Sequence, residues 1–309
     1  MKSELELQKE FVENPELKEQ IDFLKSDGIK GLQGVVHVEA FLRGIRDLGY
    51  KDVPYAFNEL NDNSFQAGAR NIHYELVGVS NKTREIVVYD DGHGMPKEML
   101  AVAVTWGGTH RQGSRKGFGK YGYGLPSACL SLAKKYTVYS KIKGGPWNKI
   151  TFDITPLDNK ESVDLNSIMS QPEECTLPGF INDFEGENYT ASTAEQGTII
   201  HIEELDRVKP IQVNTLQNAL TFDFGQTYFK LLQNTNMYIN KKKVSAVDIC
   251  FATPGLKGFK DPMNNISVPI NDDNYYFEKQ IMIKSDVDES EHEITVRFSR
   301  LPALFAVRN

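Results

Sequence analysis

The sequence predicts an α+β fold, because segments with helical periodicity alternate with paired segments that have the pattern of β strands. Residues 72–79 and 85–89 are predicted to be strands joined by a turn at residues 80–83, and residues 136–141 and 147–154 form a second such pair. Helical patterns occur around Glu59 and after Pro126. The 309 residues are enough for one large or two medium domains.

The composition excludes several classes of protein. The chain is 40% hydrophobic and 25% charged, which is typical of a soluble globular protein, and no apolar run approaches the roughly 18 residues that would span a bilayer. The N-terminus lacks the pattern of a signal peptide. The three cysteines are far apart and odd in number, which favours reduced thiols in the cytoplasm over a disulfide framework. The net charge of −7 argues against a general nucleic-acid-binding surface but leaves a local basic patch open.

A glycine-rich, basic segment is the most distinctive stretch of the chain. Seven glycines fall between Gly107 and Gly124, interleaved with basic side chains, and Pro126 then marks the start of a helix. Glycines let backbone N–H groups approach an anion, and the N-terminus of a helix favours negative charge. The segment therefore predicts a phosphate-binding loop, with a plain flexible connection as the alternative.

Two acidic motifs precede this loop. A helix over residues 56–67 places Glu59 and Asn63 four residues apart, so they share one face beside an apolar stripe; the alternative is a solvated polar surface. Downstream, a strand ends in Asp90 and is followed by a tight turn with the pattern Asp-x-Gly-x-Gly.

These three motifs, in this order and spacing, resemble the ATP-binding module of the GHKL superfamily, which includes DNA gyrase, heat-shock chaperones, MutL-type proteins, histidine kinases and the microrchidia (MORC) ATPases. The resemblance covers about residues 53–202 and is nearest to the MORC-like or chaperone-like members. It implies a two-layer α/β sandwich of the Bergerat type, in which helices cover one face of a mixed sheet. It also implies that ATP and Mg²⁺ are held between the helices and a mobile lid.

The resemblance implies an adenine site around Asp90. Asp90 would accept a hydrogen bond from the adenine amino group, while Gly92 and Gly94 let the backbone pass close to the base and Met95 packs against it. Thr198, which follows Gly197 at a strand start, would support the Asp90 carboxylate. Two departures from the family pattern, Gln66 and His93, occupy positions that carry no chemistry in the family.

The same resemblance implies the catalytic and phosphate-binding residues. Glu59 would act as the general base that activates the attacking water, and Asn63 would give an oxygen ligand to Mg²⁺. The phosphate and lid contacts would come from Thr109, Gly119, Lys120, Tyr121, Gly122 and Gly124.

The predicted organisation has three parts. Residues 1–50 form a helical arm that caps the domain or reaches a partner, residues 51–205 the ATP-binding domain, and residues 206–309 a helix and part of a transducer-like domain. Within the second part, residues 156–196 carry nine acidic residues against one lysine and are predicted to be a surface insertion or long loop. Because the chain ends before a full second domain could be built, we expect either a minimal member of the family or a shortened chain.

Three functions remain open at this level. The first is a Mg²⁺-dependent ATPase whose lid closure drives homodimerisation; the second is a phosphotransferase of the kinase branch; the third is a module that binds ATP without turnover. The sequence lacks the upstream helical hairpin of a histidine kinase, and pure binding would not need a base at Glu59. The protein or nucleic-acid client is not indicated, and no membrane association is expected.

Overall fold

The computed structural model describes residues 32–33, 36–108, 122–158, 167–248, 259–260, 267–268, 276–284 and 290–299. The helices in these ranges are α1 Val38–Leu48, α2 Val53–Gln66, α3 Lys97–Ala103, α4 Gly124–Leu132, α5 Gly179–Asn182 and α6 Val213–Thr227. The first strands are β1 Leu32–Gln33, β2 Val36–His37, β3 Asn71–Val79, β4 Lys82–Asp90, β5 Ala133–Lys141, β6 Asn148–Asp153, β7 Glu173–Glu174, β8 Glu185–Gly186 and β9 Tyr189–Thr190. The later strands are β10 Gly197–Leu205, β11 Asn236–Ile239, β12 Lys242–Lys243, β13 Phe259–Lys260, β14 Ser267–Val268, β15 Tyr276–Lys284 and β16 Glu291–Ser299.

An eight-stranded mixed sheet organises this part of the chain. Its strand order is β12-β11-β3-β4-β10-β5-β6-β7, and every neighbouring pair is antiparallel except β11 and β3, which run parallel. Strands β4 and β5 are distant in sequence, and β10 lies between them. The structure thus confirms the predicted α+β fold with a mixed sheet and helices.

Helices α1, α2, α4 and α6 contribute to a core against one face of the sheet. Helix α2 begins after Asp52, whose side chain accepts a hydrogen bond from the Tyr55 N–H, and it carries proline in its first turn. Its apolar stripe, predicted from the periodicity, is buried at Phe57, Leu60 and Ser64. The sheet contributes alternate residues to this core, as the two-residue period of a strand requires, among them Ile86, Val88, Tyr136, Val138, Ile200 and Ile202.

The opposite face of the sheet is covered by the acidic segment. Residues 175–194 contain α5 and the β8–β9 hairpin, and their apolar side chains form a second core with the outward residues of β4, β5 and β10. Its buried members are Val87, Tyr89, Tyr139, Ile181, Phe184, Tyr189, Ala191 and Ile199. The description as a surface loop therefore does not hold for this part. Its four buried apolar residues are separated by polar ones, so no regular hydrophobic pattern marks them in the sequence.

Two predicted boundaries differ from the structure. Within the helical arm predicted over residues 1–50, helix α1 begins only at Val38, because Val36 and His37 pair with β1 and the His37 ring accepts the Ala40 N–H at 3.2 Å. The division after residue 205 does not coincide with a break in packing, since α6 and β11 belong to the same core and sheet as β3.

Other predicted segments are tested only in part. Strands β15 and β16 pair as an antiparallel hairpin. Residues 1–31 of the predicted helical arm lie outside the described residues, and a transducer-like domain stays a prediction. No helix in the described part of the chain has the length and apolar character needed to cross a membrane.

Replacing Phe184 by alanine tests whether the second core is part of the folded unit. Phe184 is 7% exposed and stacks on Tyr89 with ring centroids 4.1 Å apart, so Phe184→Ala should lower the free energy of unfolding by about 3 kcal/mol. Phe180, in the same segment but 52% exposed, is the matched control, and Phe180→Ala should cost less than about 1 kcal/mol. Urea denaturation measures both, and equal small losses would contradict this account of the segment.

Candidate functional site

The first half of the candidate site is a buried carboxylate at the end of β4. The Asp90 side chain accepts hydrogen bonds from the Ser64 hydroxyl of α2 at 3.0 Å and from the Gly92 N–H at 2.9 Å. Burial raises the pKa of Asp90 from its ordinary value of 3.8 to about 6, and these two hydrogen bonds oppose the rise because they favour the ionised form. Asp90 is thus a fixed hydrogen-bond acceptor at neutral pH.

The turn after Asp90 packs closely against neighbouring parts of the chain at two glycines, and their predicted approach to a base stays a prediction. A side chain at Gly92 would overlap Ala67, which follows α2, and one at Gly94, whose φ is +67°, would overlap the Lys141 carbonyl. The next residue, Met95, is half-buried against the main core, and its N–H donates to the Ser140 hydroxyl at 2.8 Å. Glycine is therefore required by packing at both positions.

Thr198 lies beside Asp90 because β10 pairs with β4 in a register that makes the two residues cross-strand partners. The Thr198 backbone also contributes a hydrogen bond that favours the ionised Asp90 side chain. Gly197 precedes it with a φ of +142°, and a side chain there would overlap the Asp90 carbonyl oxygen. The structure thus brings together Asp90, Gly92 and Thr198, and their contacts with a nucleotide stay predictions.

The second half of the site is the Glu59 carboxylate on α2. A side chain added at Gly124, the first residue of α4, would overlap this carboxylate, so Glu59 lies directly against the start of that helix. The α4 N-terminus has no side-chain cap. Burial raises the pKa of Glu59 and the nearby negative charge of Asp62 adds to the rise, whereas a hydrogen bond with Tyr50 opposes it. A carboxylate with a raised pKa is suited to accept a proton.

Helix α6 holds the same turn of α2 from the other side. The Tyr228 hydroxyl, just after α6, lies 2.9 Å from the Asp62 carboxylate and 3.0 Å from the Asn58 carbonyl oxygen. The Asn58 side-chain amide donates to the Asp223 carboxylate at 3.1 Å. These contacts fix the backbone on both sides of Glu59.

The glycine-rich segment is described only at its two ends. The Gly107 N–H donates to the Gly122 carbonyl at 3.1 Å, and Gly122, with a φ of +66°, lies so close to Gly108 that any side chain would overlap it. The predicted residues Thr109, Gly119, Lys120 and Tyr121 lie outside the described residues. Their phosphate-binding roles stay predictions.

The residues present fit a nucleotide with a magnesium ion. Asn63 follows Glu59 by one turn of α2 and is partly exposed, so its amide oxygen is available as a ligand. No group of three or more His, Cys, Asp or Glu side chains in the described ranges is arranged to hold a metal. A magnesium ion here would therefore depend on Asn63 together with phosphate and water oxygens, which is a common coordination for Mg²⁺ in proteins.

Sequence reasoning missed four side chains of the site. Ser64 contacts Asp90, and Tyr50 contacts Glu59. Asp91 accepts hydrogen bonds from the backbone N–H of Asn71 at 2.9 Å and from its side-chain amide at 2.7 Å. Ser140 was detectable as a polar residue at an inward position of β5, two residues after the buried Val138. Its partners, however, are distant in sequence.

Comparisons with known proteins agree with the motifs. Residues 51–185 match the family described as histidine kinase-, DNA gyrase B-, and HSP90-like ATPase. A stretch of 89 residues, 29% of this chain, is 33% identical to ATPase morc-1 of Caenorhabditis elegans and spans 10% of that protein. A solved structure of the ATPase and transducer domains of DNA topoisomerase II from Balamuthia mandrillaris is similar with a TM-score of 0.42 and 15% identity. That similarity covers 62% of this chain and 48% of the other.

The raised pKa of Asp90 predicts a specific pH dependence of stability. The folded protein binds the Asp90 proton more tightly than the unfolded chain, so the contribution of Asp90 to stability falls as pH rises from about 4 through about 6. Asp90→Asn removes this titration. The free energy of unfolding of the variant minus that of the wild type should therefore be larger at pH 7.5 than at pH 4, by about 3 kcal/mol at most.

Urea denaturation of both proteins at pH 4 and pH 7.5 measures this difference. The titration of all other groups is common to the two proteins and cancels in it. A stability difference that does not change with pH would show that Asp90 has an ordinary pKa.

Proposed function

Residues 51–185 of this chain form a domain of the GHKL ATPase superfamily, and we propose that this domain binds ATP with Mg²⁺ and hydrolyses it. The observation that carries the proposal is the position of the Glu59 carboxylate against the N-terminus of α4. A base and an anion-binding helix end are thereby adjacent, which is the arrangement that phosphoryl transfer to water requires.

In this proposal the two halves of the site bind the two ends of the nucleotide. Asp90 accepts the adenine amino group, while guanine would present a carbonyl oxygen to the same acceptor and leave it unpaired, at a cost of about 1–3 kcal/mol. The N–H groups at the start of α4 face the phosphates, and the amide oxygen of Asn63 is a ligand of Mg²⁺, which neutralises phosphate charge.

Glu59 then acts on the attacking water. Its carboxylate accepts a proton from the water as the oxygen approaches the terminal phosphate, and its burial raises its basicity for this step. The lid closure that the family resemblance implies would involve the segment between Gly107 and Gly122, whose described ends are joined by a backbone hydrogen bond.

Variants of Glu59 and Asn63 separate binding from hydrolysis. Glu59→Ala should leave the Kd for ATP within about threefold of the wild type and lower kcat by at least about 100-fold, since the base acts only in the transition state. Asn63→Ala should instead weaken the binding of ATP when Mg²⁺ is present, and should change ATP binding less when Mg²⁺ is absent. Calorimetry and a phosphate-release assay measure the two effects.

Glu85→Ala is a control for loss of a carboxylate, because Glu85 contacts His201 on another part of the sheet. Normal ATP hydrolysis by Glu59→Ala would show that the assignment of Glu59 as the general base is wrong.

We further propose that ATP promotes homodimerisation. Three large side chains, Leu48, Tyr55 and Tyr123, are exposed at the end of α1, in the first turn of α2 and just before α4. In this proposal a second copy covers these exposed side chains when ATP is bound and the lid closes. Sedimentation velocity should show a dimer with a non-hydrolysable ATP analogue and a weaker one with ADP.

Tyr55→Ser should reduce the dimer without changing nucleotide affinity, whereas Val79→Ser, which changes an exposed residue at the C-terminal end of β3, should have no effect. A monomeric mass under all conditions would remove this part of the proposal.

A further inference from the structure

Helix α2 carries two rows of polar side chains that lie against different neighbours. Asn58 and Asp62 are four residues apart and contact α6 and the residue after it, whereas Glu59 and Asn63, also four apart, form the adjacent row. Glu59 lies against the start of α4, where the phosphates are proposed to bind. Asp62 is three residues after Glu59, so a change of its rotamer would bring a second carboxylate toward the first.

The Tyr228 hydroxyl holds the Asp62 carboxylate on the α6 side. It donates to Asp62 Oδ1 at 2.9 Å and lies 3.0 Å from the Asn58 carbonyl oxygen, and of these two acceptors the charged carboxylate is the stronger. The ring itself is held in place, since Tyr228 is 5% exposed and packs on Phe65 with ring centroids 4.8 Å apart. The direction of the Asp62 side chain is therefore set by a residue distant in sequence.

The direction of Asp62 matters because its charge acts on Glu59. Even while Asp62 is held by Tyr228, its negative charge raises the pKa of Glu59. Asp62 is only partly exposed, so water screens this charge incompletely, and the repulsion between two carboxylates grows as they approach. A second carboxylate beside Glu59 would also accept a hydrogen bond from the water that Glu59 must orient.

We propose that Tyr228 is a positioning residue that keeps Asp62 away from the phosphate end of the site, so that Glu59 alone orients the attacking water. The inference rests on the proposed function, in which Glu59 is the general base. Tyr228 touches no ligand in this scheme and acts through Asp62. It also lies beyond residues 51–185, the part of the chain that matches the family.

Removing only the Tyr228 hydroxyl tests this role. Tyr228→Phe keeps the ring that packs on Phe65 and releases Asp62. Its kcat for ATP should fall at least about tenfold while the Kd for ATP with Mg²⁺ changes less than about threefold, because a misdirected water matters only in the transition state. A phosphate-release assay and calorimetry measure the two quantities.

Tyr74→Phe is the matched control for a loosened helix. The buried Tyr74 hydroxyl donates to Asn61 Oδ1 of the same helix at 2.7 Å, so this variant loses the same atom and one hydrogen bond to α2. It should keep kcat within about threefold of the wild type. Urea denaturation compares the stability of the two variants. An equal loss of kcat in both would overturn the inference, because it would trace the effect to a less rigid α2.

A double variant separates the restraint of a charge from a structural role. Asp62→Asn alone should keep kcat within about threefold of the wild type, and Tyr228→Phe added to it should lower kcat no further than about twofold, because no misplaced charge remains. A merely structural role of Tyr228 would instead leave the double variant as slow as Tyr228→Phe.

The remaining outcomes are also decisive. The inference is overturned if Tyr228→Phe turns over ATP at the wild-type rate, or if Asp62→Asn alone is as slow as Glu59→Ala, since Asp62 would then act in the reaction itself. A wild type that hydrolyses no ATP overturns the proposed function as well, which distinguishes the two failures.

Discussion

The burial of one ionisable group, Asp90, is the constraint on which the arrangement of the site depends. A carboxylate in the interior is costly unless donors surround it, and the donors here come from three separate elements. Ser64 belongs to α2, Gly92 to the turn after β4, and Thr198 to β10. These elements must therefore meet at one point. The raised pKa of Asp90 shows that the donors offset the cost of burial only in part.

Helix α2 connects the two halves of the candidate site, at Asp90 and at Glu59. One stripe of the helix, at Phe57 and Leu60, packs in the core, and Ser64 continues that stripe to Asp90. A second face is fixed by α6 through Asn58 and Asp62. Glu59 lies on the remaining face, against α4. A helix that is held on two sides cannot rotate, so the position of the candidate base relative to Asp90 is set by packing. This rigidity is what preorganisation of a catalytic group requires.

The sequence was informative wherever a signal is local. The two-residue period of β4 and β5 and the helical period of α2 predicted these elements, because burial of one face imposes the period directly. The motifs that contain Glu59, Asn63, Asp90 and the glycines are also local, and their order and spacing carried the resemblance to the family. Local patterns were weaker over residues 175–194, where Ile181, Phe184 and Tyr189 are isolated among acidic residues. There the apolar side chains meet only through the β8–β9 hairpin and the sheet, and no period along the chain reports that contact.

The sequence by itself thus determined the types of the main elements, the family of the domain and the candidate roles of Glu59 and Asp90. Only the tertiary structure decided that β10 lies between β4 and β5, and so that Thr198 joins Asp90 to Ser140. It also decided that α6 and β11, beyond the recognised motifs, complete the same core. The physical reason is that strand order and register arise from the packing of whole faces, whose free energy depends on residues far apart in the chain. A motif, in contrast, records only the demands of its own turn or helix.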